Sequence, residues 1–274
     1  MPELPEVESV RRSLLPLVGR TVSRATLLRA DFCTTHYAKR AKPRDLLEGA
    51  AITQLSRRGK QLAIHARDGR ILVIHLGMTG QVLLLGPREK PSRADHIHAR
   101  WVLDDDSQVI FRDPRRFGGL WSLPSPEALV GRWNDLGPDA LDITPDHLRA
   151  AATHSARSIK AILLDQSILA GVGNIYANES LFGARIRPSR PARRIKPHEW
   201  SVLTTAIRSV LRSAIDSGGS TLRDYVNAAG QSGSAQELHA VYGRGRKPCL
   251  ICSKPLKARI LAQRTTVYCT FCQG

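Results

Sequence analysis

At 274 residues, 42% of them hydrophobic, the chain can bury a core and divide into two domains, which excludes a disordered chain. Its formal charge of +17, from 41 Lys+Arg against 24 Asp+Glu, favours a polyanionic partner. No run of eighteen apolar residues occurs, and the first twenty residues carry three glutamates where a signal peptide needs an apolar core, so a cytoplasmic, nucleoid-associated protein is expected.

The chain opens Met1-Pro2-Glu3-Leu4-Pro5-Glu6-Val7-Glu8. Methionine is trimmed when the next side chain is small, which would leave the secondary amine of Pro2 as the terminus. An α-amino group has a pKa near ~8 against ~10.4 for lysine, so at neutral pH roughly a tenth of it is unprotonated. Attack of a secondary amine on an aldehyde carbon gives an iminium that stays cationic and draws electrons, and Glu3 stands one residue away to move protons. The same residues equally suit a plain helix entry. Residues 5–18 read as a helix, with Pro5 and Glu6 in its first turn, Val7, Val10, Leu14 and Leu17 at helical spacing, and Gly19 as the stop.

From Arg20 to about Leu123 the period is that of strands. Segments 50–56, 61–66, 71–76 and 81–85 are short and rich in Ile, Val and Leu, with Asp68-Gly69 as a two-residue hairpin signal. A further pair, 98–103 and 108–112, is joined by an acidic turn. Strands so spaced predict a sandwich or barrel. Cys33 reads as a small buried hydrophobe. Between Ser122 and Asp146 prolines and glycines collect, and this stretch marks a boundary. Helices are expected over 145–153, 158–165, 174–182 and 197–217. Gly171-Val172-Gly173-Asn174 opens one of them with exposed amides, a seat for phosphate or simply a turn. Residues 228–236 are small and polar, which predicts a mobile loop.

Cys249-Leu-Ile-Cys252, followed after sixteen residues by Cys269-Thr-Phe-Cys272, has the spacing of a ribbon holding one tetrahedral Zn²⁺. Four thiolates leave no open coordination position, so the metal would be structural. The hairpin it holds is expected to carry Lys254, Lys257, Arg259 and Arg264 around its turn. Of the 41 basic residues 32 are arginines, whose guanidinium forks onto phosphate. They are scattered through segments that read as folded, so nucleic acid leads and a membrane surface trails. Two loops place an apolar side chain among glycines or arginines: Met78 in 76–80 and Phe117 in 112–119, beside Arg115 and Arg116. Such a residue is either a wedge that enters a base stack or an anchor tucked into the core.

Together, Met-Pro-Glu-Leu-Pro-Glu-Val-Glu at 1–8, His-Leu-Gly-Met-Thr-Gly at 75–80, Asp-Pro-Arg-Arg-Phe-Gly at 113–118, Gly-Val-Gly-Asn-Ile-Tyr-Ala-Asn-Glu-Ser at 171–180, Ala-Gln-Glu-Leu at 235–238 and Ala-Gln-Arg-Thr at 262–265 resemble the bacterial formamidopyrimidine-DNA glycosylases, in register to the last cysteine. The resemblance implies an α+β fold in two domains: an N-terminal antiparallel β-sandwich flanked by helices over 1–135, and a C-terminal helix-two-turn-helix region over 136–235 that carries the zinc ribbon at 236–274. It implies a glycosylase and AP lyase acting on oxidised purines or abasic sites in duplex DNA, with Pro2 as nucleophile and Glu3 as acid and base. Glu6 would lie near the same amine, and Lys60 and Arg264 would join the catalytic set on DNA phosphates. Met78, Arg115 and Phe117 would fill the hole left by the extruded nucleotide, with His96, Lys160 and Asn174 as further DNA contacts. Gln231 stands where a lysine often does, which touches lesion preference. Two rivals share much of this pattern: an endonuclease VIII type of enzyme that prefers oxidised pyrimidines, and a non-catalytic zinc-ribbon DNA binder. A monomer is the default.

Overall fold

Proline decides where the first helix stops. In the structure, a computed structural model that describes residues 2–35, 41–222 and 225–274, helix α1 spans Leu4–Ser13 and gives way to a single 3₁₀ turn over Leu15–Leu17. The expected helix ran on to residue 18. Pro16 has no N–H to donate and disfavours the helical conformation of the residue before it, so the α-helical ladder ends early. Leu4, Val7, Val10 and Leu14 still form one buried stripe, each contributing about 1.5–3 kcal/mol. At the other end Glu3 and Glu6 form a reciprocal capping box, with the Glu3 N–H donating to Glu6 Oε2 at 2.7 Å.

Among the described residues nine strands follow: β1 Val22–Leu27, β2 Cys33–Thr35, β3 Ile52–Arg58, β4 Gln61–Ala66, β5 Ile71–His75, β6 Gln81–Leu85, β7 Ile97–Leu103, β8 Gln108–Arg112 and β9 Gly119–Leu123. They form a four-stranded sheet in the order β1-β7-β8-β6 and a five-stranded sheet in the order β2-β9-β5-β4-β3. Residues of both sheets and of α1 share one hydrophobic core, including Val82, Ala99 and Phe111 from one sheet and Leu62, Leu72 and Ile74 from the other. This is the expected sandwich with one departure: β2 pairs with β9 in parallel. The hairpin at Asp68-Gly69 forms, but its loop holds four residues, 67–70, and Gly69 alone takes a left-handed φ of +86°.

Helix α2, Pro126–Trp133, lies inside the stretch expected to be a linker. Pro126 sits at its start, where a missing N–H costs nothing, and Ser125 caps it by accepting the Ala128 N–H. Helices α3 Pro145–Ala152, α4 Ile159–Leu164, α5 Asn174–Gly183 and α6 Pro197–Asp216 fall where the helical period placed them. Strands β10 Lys257–Leu261 and β11 Arg264–Tyr268 form the ribbon hairpin. Its turn is Ala262-Gln263, both left-handed, so of the four basic residues expected around the turn only Arg264 adjoins it. The described chain divides into two compact units, Met1–Asn134 with Gly218–Gly233, and Asp135–Ser217 with Ser234–Gly274. Residues 218–233, counted with the helical stretch on sequence, therefore pack with the β-sandwich.

A carboxylate ties α1 to β3. Glu8 takes Arg11 Nη2 at 2.7 Å, Arg12 Nε at 3.1 Å and Arg57 Nε at 3.2 Å, while Arg57 Nη1 donates to the Gly59 carbonyl. Burial pushes the Glu8 carboxyl up, but the arginines, Arg11 foremost, outweigh it and hold the pKa down at about 2. Because that lies below the ordinary value of 4.5, ionised Glu8 stabilises the fold above this pH, and the contribution fades as pH falls toward about 2. Glu8→Gln is expected to cost about 1–3 kcal/mol at neutral pH. Denaturant melts of the two proteins should converge as the medium is acidified through that window.

Candidate active site

Pro2 is buried directly before α1, and Glu3 is its N-cap. Cleavage of Met1 lies outside the described residues. Glu6 has two tasks at the same end of the helix. One oxygen completes the capping box, and the other accepts the Ser220 N–H at 2.7 Å. Gly219, at φ +85°, lies so close that a Cβ there would come within 3.1 Å of Glu6 Cγ and Oε1. Tyr225 donates its hydroxyl to the Glu6 and Gly218 carbonyls, and burial, reinforced by the Glu6 charge, pushes its pKa well above the phenol range. The segment after it, composed like a mobile loop, is tied at several points. Ala228 N–H donates to Ser13 Oγ, the Ala228 carbonyl accepts the Leu84 N–H, and Asn227 Oδ1 accepts the N–H groups of Ala229 and Gln231. Gln231 Oε1 in turn accepts from Asn227 Nδ2 at 3.2 Å.

Lys60 follows Gly59, which turns β3 into β4 at φ +55°. His75 on β5 pairs with Gln61 across the ladder, and its Nδ1 accepts the Gly77 N–H at 3.2 Å, which leaves the ring proton on Nε2. Burial first, then the Lys60 and Arg132 charges, with Asp113 opposing, pushes the His75 pKa below the usual imidazole range, so the ring keeps accepting. Beyond it Met78 is 41% exposed and Phe117 55% exposed, with the Arg115 guanidinium 4.9 Å from the Phe117 ring centre. Neither apolar side chain is tucked into the core, which removes the anchor alternative. His96, also exposed, sits at φ +60° beside Asp95, with Nε2 3.2 Å from a carboxylate oxygen.

The second unit brings three expected residues to one strand. Lys160 is 0% exposed, and its ammonium donates to Thr266 Oγ1 at 2.6 Å and to the Thr265 carbonyl at 3.3 Å. Asn174, at the first turn of α5, donates from Nδ2 to the same carbonyl at 3.1 Å. Thr265 follows Arg264, whose side chain is exposed. Asn174 Oδ1 is buried without a partner among the described residues. Lys160 is thus placed to brace β11, and its buried ammonium reaches no surface. Thr265 lies in the 262–265 motif, but its part here falls to its backbone carbonyl, and Thr266 carried no sequence signal. Glu179 of α5 accepts the N–H groups of Ala240, Val241 and Tyr242, fixing the chain as it enters the ribbon.

The four cysteine sulfurs lie within 4.8 Å of one another, with Cys249–Cys272 at 3.9 Å and Cys252–Cys269 at 3.5 Å. A tetrahedron of thiolates at the Zn–S length of about 2.3 Å has edges near ~3.8 Å. The N–H groups of Ile251 and Cys272 point at Cys249 and Cys269 sulfur, as they do for metal-bound thiolates. This group could therefore hold a metal ion.

Residues 1–120 match the family model described as formamidopyrimidine-DNA glycosylase N-terminal domain, and 136–226 match its H2TH domain. The chain belongs to the formamidopyrimidine-DNA glycosylase family. It is 41% identical to the formamidopyrimidine-DNA glycosylase of Teredinibacter turnerae and 40% to that of Photobacterium profundum, over the whole of each chain. Among solved structures it is similar to MutM (Fpg) of Thermus thermophilus, with 41% identity, a TM-score of 0.86 and coverage of 100% and 99% of the two chains. It is also similar to a glycine-to-proline mutant of Lactococcus lactis Fpg, solved with Fapy-dG-containing DNA, at 31% identity, a TM-score of 0.89 and 99% coverage of both. Among the described residues no helix is long and apolar enough to cross a membrane.

Lys160→Met removes both bonds to β11 while keeping much of the side-chain volume. It is expected to cost about 1–3 kcal/mol, with faster amide hydrogen exchange concentrated in residues 264–268.

Proposed function

We propose that this member of the family is a bifunctional DNA glycosylase and AP lyase that excises oxidised purines, 8-oxoguanine and formamidopyrimidines, from duplex DNA during base excision repair. The observation that carries this is the buried Pro2 held against a capped helix whose first carboxylate is Glu3. The Lactococcus lactis relatives bound to Fapy-dG DNA and to abasic-site DNA support the choice of partner.

A base inside a duplex cannot be reached, so the damaged nucleotide is turned out of the stack at a cost of a few kcal/mol. Met78 and Phe117 offset that cost by occupying the vacated space, and Arg115 faces the orphaned cytosine. With Met1 removed, the Pro2 nitrogen attacks the sugar C1′. The new N–C1′ bond forms as the glycosidic bond breaks, and the base leaves with its electron pair. Glu3 delivers a proton to the ring oxygen as the sugar opens, which yields the iminium. The cation acidifies the neighbouring C–H, and loss of that proton expels the 3′ phosphate. A second elimination expels the 5′ phosphate, and water releases Pro2. Lys60 and Arg264 complete the catalytic set by holding DNA phosphates, with Asn174 on a flanking phosphate and His96 as a further DNA contact. Lys160 serves indirectly, by fixing the strand that carries Arg264. The protein works in the cytoplasm at the chromosome, as a monomer.

The ribbon completes the reading with one structural Zn²⁺ on Cys249, Cys252, Cys269 and Cys272, which holds the hairpin without taking part in the chemistry. Metal analysis is expected to find one zinc per chain. Cys269→Ser should lose it, weakening DNA binding while the β-sandwich still melts cooperatively.

Borohydride reduction of the protein with 8-oxoguanine duplex, followed by mass spectrometry, should give a covalent adduct at Pro2. Absence of an adduct from Met1-free protein that still binds DNA would leave the non-catalytic binder. Faster excision of thymine glycol than of 8-oxoguanine would move the chain to the pyrimidine-specific type.

A further inference from the structure

We propose that Asp113 is a positioning residue that locks the loops bearing Met78 and Arg115/Phe117 into one rigid wedge, an inference that rests on the function proposed above. Asp113 itself is 0% exposed. Its carboxylate is shared between the loops. Oδ1 accepts the Thr79 hydroxyl at 2.5 Å and the Arg115 N–H at 3.3 Å, and Oδ2 accepts the Gly118 N–H at 2.7 Å. The Thr79 hydroxyl oxygen also accepts the Arg115 N–H, at 3.2 Å, so a triangle of bonds spans from one loop to the other. The Asp113 backbone is fixed as well. Its N–H donates to the His96 carbonyl, and its own carbonyl accepts the Arg116 N–H and lies 2.8 Å from His98 Nε2.

The loops also touch without any side chain between them. A Cβ at Gly77 would stand 2.3 Å from Gly118 N, and one at Gly118 would stand 2.6 Å from the His75 carbonyl oxygen. Two backbones pressed this closely, and cross-linked by a buried carboxylate, have no room to slide. Met78 and Phe117 therefore project from one body and not from two independent loops. A wedge ordered before it meets DNA spends none of its binding free energy on ordering itself. Both tips must enter the duplex together, so the loss of Asp113 should impair insertion and orphan-base selection while leaving the Pro2 chemistry intact.

The test compares the unmodified chain with Asp113→Asn, Thr79→Val and Thr79→Ser, each checked for zinc content and thermal melting. Three readouts are taken: excision from duplexes with cytosine or adenine opposite 8-oxoguanine, fluorescence of 2-aminopurine next to the lesion as a report of insertion, and borohydride trapping on a single-stranded abasic oligonucleotide. The expected result is a loss of about tenfold or more in kcat/KM on the cytosine duplex for Asp113→Asn and Thr79→Val. The cytosine preference and the 2-aminopurine signal should fall with it, single-strand trapping should stay within about twofold, and Thr79→Ser should restore all three. Equal losses on duplex and single strand, or an unchanged 2-aminopurine signal in both Asp113→Asn and Thr79→Val, would overturn the proposal. Failure of the unmodified chain to trap at all would instead defeat the lyase reading, and the 2-aminopurine signal would still report on the wedge.

Discussion

A chain terminus is ordinarily the loosest part of a protein, and the function proposed above asks its chemistry of the N-terminal residues. The constraint on which everything else depends is the double use of Glu6. One of its oxygens closes the cap on α1 and the other holds the backbone at Ser220, so the first turn of the helix is fixed both to itself and to a segment more than two hundred residues away in sequence. The buried stripe of Leu4, Val7 and Val10 supplies the apolar half of that fixity. Held this way, the nucleophile proposed above would sacrifice little orientational freedom when substrate arrives.

Much of this was legible in the order of the residues. The two CxxC pairs declare a four-thiolate cluster by spacing alone, and helical and strand periods place most elements, because both patterns are local. What escaped was of two kinds. Pro16 and Pro126 act through a missing donor, which shortens one helix and starts another, and a count of apolar residues does not register that effect. The parallel pairing of β2 with β9 and the return of residues 218–233 to the β-sandwich are tertiary choices with no local mark. The site divided along the same line. Pro2, Glu3, Met78 and Phe117 lie in compact motifs, whereas the Glu8–Arg57 tie links residues forty-nine positions apart and becomes visible only once α1 lies against β3.

Lys160 stands apart from the role that the resemblance implied for it. A further DNA contact was expected there, yet its buried ammonium bonds Thr265 and Thr266. Its influence on DNA would pass through the pose of Arg264. Removing it should thus resemble a loosened hairpin more than a lost charge.

The Thr265 carbonyl has a consequence of its own. Lys160 and Asn174 both reach this one oxygen, which has two lone pairs to offer and gives one to each. The information that aligns α4, α5 and β11 is therefore written into the main chain, a group every amino acid possesses. The side chain at 265 takes no part in these two bonds, and a comparison of side chains alone would pass over the very point where three elements are pinned together.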